Sequence, residues 1–217
     1  MPIVFANVVD PVGSGFVASL SKPGGSTTGF MSGGFGESAK WLELLKEIAP
    51  RVTRVAVIRN ILTGAAGVAQ LSAIQAVAPT FGVELTPING DDSGEVGIGI
   101  EAFARGPNGG LIVPSAGVPQ DRRQVIIALA ARHRLPAVYA LRGFVTEGGL
   151  ISYGIDVAEP YRLAAGYVDR ILRGEKAADL PVQAPTKYEM VLNEKTARAL
   201  GLQVPDSVLV RADEVIE

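Results

Sequence analysis

Short apolar runs of strand type alternate with helix-type patterns, and this alternation constrains the fold more than any other feature of the sequence. The five clearest runs lie at residues 52–58, 83–88, 110–113, 135–139 and 149–153. Strands that alternate with helices form βαβ units, in which neighbouring strands run parallel. We therefore predict that this stretch forms one doubly wound α/β lobe around a five-stranded parallel sheet.

Further elements precede this block. Residues 3–8 form a continuous apolar run, as expected for a strand covered on both faces, and residues 27–30 form a second short strand. Residues 41–49 have the apolar spacing of a helix, which Pro50 ends. These elements extend the α/β pattern almost to the first residue.

The pattern also continues after the block. A helix is predicted at about 157–172, followed by a proline-rich extended stretch and a strand at 188–192. A short helix should then begin at Asn193, a residue favoured as an N-cap, and end at Gly201, which tolerates the left-handed conformation of a C-cap.

The composition excludes several classes of function. The 20 Lys and Arg nearly balance the 22 Asp and Glu, so the chain lacks the basic field needed to bind nucleic acid or an anionic membrane. Without cysteine, it has no disulfides and no thiolate zinc site. We expect no membrane insertion, because no apolar run approaches the roughly 18 residues needed to span a bilayer. The first residues resemble a strand, so we also expect no signal peptide within this chain.

Motifs that would indicate a cofactor, a metal or catalysis are weak. Residues 13–18 match the dinucleotide fingerprint G-x-G-x-x-A, but Pro23 breaks the following helix and no acid ends the next strand. His133 is the only histidine and has no second imidazole or thiolate with which to share a metal. Asp91 and Asp92 lie in a sequence typical of a turn and helix start. We predict no cofactor, no metal and no catalytic residue.

Polar side chains follow several of the predicted strands. Asn60, Ser115 and Tyr139 each lie at or just beyond the carboxyl end of a strand, where open α/β sheets bind their ligands. Asp156 also follows a strand, and with Glu159 it could form a variant capping box for the next helix. Helix capping and ligand binding both remain open for Asp156, since one residue can do both.

Several stretches resemble the substrate-binding proteins of ABC transporters, in particular those of tryptophan-type and other amino-acid importers. They are residues 2–13 (PIVFANVVDPVG), 22–25 (KPGG) with Thr28 and Gly29, 41–50 (WLELLKEIAP), 180–183 (LPVQ) and 192–197 (LNEKTA). The resemblance covers nearly the whole chain in order and spacing. It implies the type I periplasmic-binding fold, in which a ligand is held between two lobes that close over it.

The resemblance also implies a domain organisation. Residues 1–31 and 156–180 would belong to lobe 1, and residues 32–155 and 181–217 to a complete lobe 2. Family members have a signal sequence and several βα units ahead of the segment that begins at Pro2, so lobe 1 is expected to be incomplete in this chain. An incomplete lobe leaves an open strand edge, and we expect homo-oligomers to form through it.

The function implied is that of a solute-binding component of an ABC importer, which captures an amino acid or related carboxylate and delivers it to permease subunits. The expected ligand-binding residues are Asp10, Asn60, Ser115, Tyr139 and Asp156. The full-length family member would be periplasmic or otherwise extracytoplasmic. Two alternatives stay open: the ligand-sensing core of a transcription regulator, and an enzyme on the same fold.

Overall fold

The computed structural model describes residues 1–32, 36–59, 65–115 and 122–217. The strands are β1 (Ile3–Val8), β2 (Thr27–Met31), β3 (Arg54–Arg59), β4 (Glu84–Asn89), β5 (Gly109–Val113), β6 (Ala137–Tyr139), β7 (Ile151–Ile155), β8 (Tyr188–Asn193) and β9 (Glu214–Ile216). The helices are α1 (Gly36–Ile48), α2 (Ala65–Val77), α3 (Ser93–Phe103), α4 (Arg123–Arg132), α5 (Arg142–Thr146), α6 (Glu159–Leu172), α7 (Glu194–Leu200) and α8 (Asp206–Arg211).

The chain folds into two compact units, each built from two separate segments. Unit 1 comprises Met1–Gly34 and Ile155–Tyr188, and unit 2 comprises Phe35–Gly154 and Glu189–Glu217. The chain therefore crosses between the units three times, after Gly34, after Gly154 and after Tyr188.

Unit 2 is organised around a sheet with the strand order β4-β3-β5-β6-β7-β8-β9. The pairs from β4 to β7 are all parallel, which confirms the predicted five-stranded parallel sheet. In β3, alternate side chains enter opposite cores: Val55 and Val57 pack with α1, whereas Ala56 and Ile58 pack with α3 and α4. Burial on both faces explains why this strand is a continuous apolar run.

The C-terminal segment adds more to this sheet than the sequence indicated. β8 joins the sheet, with the backbone N–H of Asn193 donating to the carbonyl of Leu150 just before β7. The last residues were not expected to be regular, yet β9 pairs parallel with β8. The predicted helix ends are confirmed, because the Asn193 side chain caps α7 through Thr196 N and Gly201 ends the helix at φ 71°.

Unit 1 contains a parallel two-stranded sheet of β1 and β2, covered by α6. Its core is formed by Phe30, Tyr167 and Leu180, and the Phe30 and Tyr167 rings lie 4.7 Å apart. The two strands approach closely at Gly29, where a Cβ atom would lie 2.1 Å from the carbonyl oxygen of Phe5. Only glycine fits at this point.

One boundary of the compact units differs from the lobe boundary that the resemblance implies. The resemblance placed residues 181–217 in the second lobe, but the segment up to Tyr188 belongs to unit 1. Gln183 extends the small sheet: its N–H donates to the Gly29 carbonyl at 3.0 Å, and its own carbonyl accepts from Met31 N at 2.8 Å. The Tyr167 hydroxyl adds a 2.7 Å bond to the Pro181 carbonyl. The final crossing from unit 1 to unit 2 therefore falls between Tyr188 and Glu189.

Candidate ligand-binding site

The sheet of unit 2 has a switch point between β3 and β5. β3 is the first strand of the parallel block, with β4 on one side of it and β5 on the other. The chain runs from β3 to β4 in one direction and then crosses back past β3 to reach β5. Open α/β sheets bind ligands outside the carboxyl ends of the strands at such a point. Arg59 ends β3 here, and Ser115 follows β5.

Ser115 is half-buried, and its hydroxyl oxygen accepts a 2.8 Å hydrogen bond from the Nε2 of Gln70. Gln70 lies on α2 and is 1% exposed. A buried amide therefore fixes the position of the hydroxyl, whose proton can still be donated. Ser115 is thus a positioned polar group at the switch point, where the sequence predicted a ligand-binding residue.

Tyr139 ends β6 as expected, but its side chain lies in the core. Its ring is 1% exposed and stacks on Phe144, with the ring centroids 4.7 Å apart. Burial raises the pKa of the phenol above its ordinary value. The expectation that this ring lies against a ligand does not fit a core side chain. Asn60, the third residue predicted for this edge, lies outside the described residues.

Asp10 lies in unit 1, just after β1, and is half-buried. Its Oδ1 accepts a 2.8 Å hydrogen bond from the backbone N–H of Gly13, so it stabilises the turn that follows the strand. The other carboxylate oxygen has acceptor capacity left.

Asp156 lies in unit 1, between β7 and α6. Its Oδ1 accepts from Ala158 N at 2.9 Å, and its Oδ2 pairs with Arg162 at 2.6 Å. The N–H of Ala158, with the Arg162 guanidinium acting in the same direction, holds the pKa of this carboxylate below its ordinary value. The expected capping box is absent, because α6 begins only at Glu159, after an Ala158 N-cap that makes no side-chain bond.

Two polar residues that the sequence did not indicate lie at the ends of β1 and β2. Asn7 has φ 59°, at an irregularity in the pairing of the two strands, and its Nδ2 donates to the Val157 carbonyl at 3.1 Å. The Asn7 Oδ1 and the Ser32 hydroxyl are both buried and have no hydrogen-bond partner in the part of the chain that the structure describes. Asn7 could have been identified from the sequence, because it is a polar residue inside the otherwise apolar strand β1.

Two arginines at the edge of unit 2 were also missed. Arg59 and Arg122 are half-buried, and the Nε of each is buried without a hydrogen-bond partner among the described residues. Arg59 is the last residue of β3, and Arg122 immediately precedes α4.

An acidic and aromatic cluster lies at the start of α1. Glu37 is 8% exposed, and Trp41, one turn later, donates from its Nε1 to the Tyr153 carbonyl at 2.7 Å. Loss of solvent, and then the nearby Glu37 carboxylate, raises the pKa of the Tyr153 phenol. The Trp41 hydrogen bond attaches α1 to the middle of β7.

Two negative observations concern the described part of the chain. Residues 1–32, 36–59, 65–115 and 122–217 contain no group of three His, Cys, Asp or Glu side chains arranged to hold a metal ion. Within the same residues, no helix combines the length and the apolar character needed to cross a bilayer.

The α/β architecture, with a mostly parallel sheet and polar side chains at its carboxyl edge, is that of a type I periplasmic-binding protein. The chain belongs to the ABC transporter substrate binding protein family, whose model matches residues 1–216. Family membership thus confirms the resemblance noted in the sequence.

Individual relatives agree with this assignment. A tyrosine-binding protein of Clostridioides difficile is 28% identical over 203 residues, which are 94% of this chain and 58% of the relative. An ABC domain from Streptococcus pneumoniae in complex with L-Trp is 24% identical, with a TM-score of 0.87 over 99% of this chain and 72% of that one. An open, ligand-free substrate-binding protein with adhesive properties from Clostridium difficile is 28% identical, with a TM-score of 0.72 over 100% and 71%. The chain thus spans less than two thirds of the curated relative's length.

Proposed function

We propose that this protein is the solute-binding component of an ABC importer and that it captures an amino acid or a closely related carboxylate without chemical change. The observation that supports this most strongly is the family match over residues 1–216. The tyrosine-binding relative supports an amino acid as the ligand. The structure with L-Trp, at 24% identity, supports the fold alone.

Unit 1 would then correspond to lobe 1 and unit 2 to lobe 2, with the boundary after Tyr188 in place of Leu180. Capture of the ligand between the two lobes is part of this proposal and rests on the family resemblance. So do an extracytoplasmic location and delivery of the ligand to permease subunits.

The proposed ligand-binding residues are those whose polar atoms keep unused capacity at strand ends. Asp156 is held ionised by its neighbours, so its carboxylate is available to an ammonium group at neutral pH. Asp10 and Ser115 are fixed by one bond each and retain further capacity. Asn60 remains a candidate from its place in the sequence. Tyr139 is not proposed to contact the ligand, because its side chain is buried in the core.

No catalytic step is proposed. The relatives are described as binding proteins, and no specific observation favours an enzyme or the sensory core of a regulator.

Isothermal titration calorimetry of the full gene product with the twenty amino acids tests the proposal. We expect saturable binding of at least one amino acid, with Kd at about the micromolar level, which corresponds to roughly −8 kcal/mol. Asp156→Asn should weaken that binding, whereas Asp169→Asn, on the exposed surface of α6, should leave it unchanged. Absence of binding across the panel would contradict the proposal.

A further inference from the structure

We propose that Arg59 and Arg122 form a subsite that binds the carboxylate of the ligand. This inference deepens the proposed function and rests on it, since it assigns one end of the amino acid to named side chains of unit 2. Neither arginine was among the residues that the sequence indicated.

The two arginines are joined through one buried residue, Gly90, which follows β4. The backbone N–H of Gly90 donates to the Arg59 carbonyl at 2.5 Å, and the Gly90 carbonyl accepts from the Nη1 of Arg122. Both residues therefore lie at the carboxyl ends of β3 and β4, beside the switch point. They belong to one local structure, although 62 residues separate them in the sequence (122 minus 59, less one).

Both guanidinium groups have donors that the described structure does not use. Among the described residues, neither arginine forms an ion pair with a carboxylate, and each Nε is buried without a partner. The Nη1 bond of Arg122 to Gly90 is its one hydrogen bond to this part of the chain. Buried charged donors are normally hydrogen-bonded, so two such groups at one edge favour an acceptor beside them, and an anion above all.

Two acids that follow Gly90 in the sequence, Asp92 and Glu95, bond to other groups. The Asp92 carboxylate accepts from Gly94 N at 2.7 Å and caps α3, and Glu95 accepts from Asn89 at 2.6 Å. Arg122 also precedes a helix whose first turn contains no acidic residue. A cation there runs against the helix macrodipole, which favours negative charge at an N-terminus. The location therefore favours a bound anion on two independent grounds.

A carboxylate matches this arrangement. Guanidinium groups present planar, paired donors to the two oxygens of a carboxylate, and such charge-assisted bonds are shorter and stronger than neutral ones. An amino acid bound here would place its carboxylate against unit 2, beside the positioned hydroxyl of Ser115. A ligand whose carboxylate is replaced by an amide would lose the charge that the two arginines require.

The test compares L-tyrosine and L-tryptophan with their carboxamides, together with any better ligand from the amino-acid panel and its carboxamide. Calorimetry is carried out on the wild-type gene product and on Arg59→Gln, Arg122→Gln and Arg105→Gln. Arg105 is exposed after α3, at the opposite edge of the sheet, and is the matched control. Circular dichroism melts establish that each variant is folded.

We expect the wild type to bind the free amino acid roughly 30-fold or more tightly than its amide. Arg59→Gln and Arg122→Gln should each reduce this ratio by about tenfold or more, chiefly by weakening binding of the acid, and Arg105→Gln should not change it. Any loss of affinity shared by acid and amide reports a structural effect, such as loss of the Arg122 contact with Gly90.

The inference is wrong if the acid-to-amide ratio is unchanged in both variants, or if the wild type binds the amide as well as the acid. In either case binding of the amino acid itself would leave the proposed function intact. If no amino acid binds at all, both the function and the subsite are rejected.

Discussion

The Nδ2 of Asn7 donates a 3.1 Å hydrogen bond to the backbone carbonyl of Val157, across 150 positions of the sequence. The bond attaches the carboxyl end of β1 to the segment that contains Asp156. Asn7 adopts φ 59°, a left-handed conformation that asparagine and glycine tolerate better than other residues. Asn7 therefore fixes the backbone of unit 1 beside the segment that contains Asp156, one of the proposed ligand-binding residues.

Asn7→Ala should destabilise unit 1 by about 1–3 kcal/mol, because it removes this hydrogen bond and places a Cβ-bearing residue without a compensating side chain in the left-handed region. Asn7→Gly should cost less, since glycine adopts the conformation freely. Hydrogen exchange of peptides from β1 and α6, followed by mass spectrometry, measures the difference. Equal exchange in the two variants would show that the backbone conformation contributes nothing.

The carboxylate of Asp156 should make a pH-dependent contribution to stability. Its pKa is lowered in the folded state, so the contribution is present above the unfolded pKa of about 3.9 and is lost as the pH falls through the folded pKa. Asp156→Asn removes it. The difference in melting temperature between wild type and variant should therefore be present at pH 6 and close as the pH falls below about 4.

Glu84→Gln, which removes an exposed carboxylate of β4, is the control for loss of one negative charge. A difference for Asp156→Asn that stays constant from pH 6 down to pH 3 would contradict the assigned cause.

Tyr139 should act as a core residue. Tyr139→Phe keeps the ring that stacks on Phe144 and should change ligand affinity by less than about twofold and stability by less than about 1.5 kcal/mol. Tyr139→Ala should cost about 3–5 kcal/mol, as for other large buried rings. Calorimetry and thermal melts check the two effects separately. A tenfold weaker ligand affinity in an equally stable Tyr139→Phe variant would restore the original expectation of a ligand contact.

The cap of α7 offers a graded test in unit 2. Asn193 is 6% exposed, its Oδ1 accepts from Thr196 N at 3.0 Å, and its Nδ2 donates to the Val145 carbonyl at 3.3 Å. Asn193→Ser retains the cap and loses the second bond, so it should cost about 1 kcal/mol. Asn193→Ala loses both and should cost about 2–3 kcal/mol.

Urea unfolding followed by tryptophan fluorescence suits this measurement. The single tryptophan of the chain, Trp41, is fully buried in unit 2, so its signal reports the unit that contains the mutation. An Asn193→Ala variant no less stable than Asn193→Ser would show that the cap is unimportant.

Self-association through β1 remains a prediction. Among the described residues β1 has a hydrogen-bonded neighbour on one side only, and Ile3 and Phe16 are 48% and 53% exposed. Open strand edges recruit other chains. Residues 1–217 should therefore associate in sedimentation velocity as concentration rises. Ile3→Lys should reduce the association, whereas Val210→Lys, at an 86% exposed position of unit 2, should not. A monomer at all concentrations would exclude this contact.

The parallel sheet was predictable because each of its strands is a short apolar run separated from the next by a helix. β9 was not, since its three residues are only partly buried and show no continuous apolar pattern. The direction of Tyr139 was equally inaccessible: successive strand side chains face opposite ways, so a position at a strand end does not fix the face.

The other omissions arise from contacts between distant segments. Gln183 belongs to unit 1 because its backbone pairs with Gly29 and Met31. Local sequence propensity does not predict a bond between such distant segments. Arg59 and Arg122 come together only through Gly90. The sequence correctly predicted that Ser115 and Asp156 lie just after strands. It could not predict which side chains the tertiary fold brings together from distant segments.

Unit 1 is built from two separate chain segments, so it can be completed only after the second of them has been synthesised. β1 and β2 are made before the first segment of unit 2, whereas α6, which covers them, follows only after that segment. At roughly 5–20 residues per second, the delay is on the order of ten seconds. During that time the side chains of β1 and β2 that contact α6 lack this partner. Unit 1 can be completed only once α6 and the segment up to Tyr188 have been made, and unit 2 only after that, when its second segment adds β8 and β9.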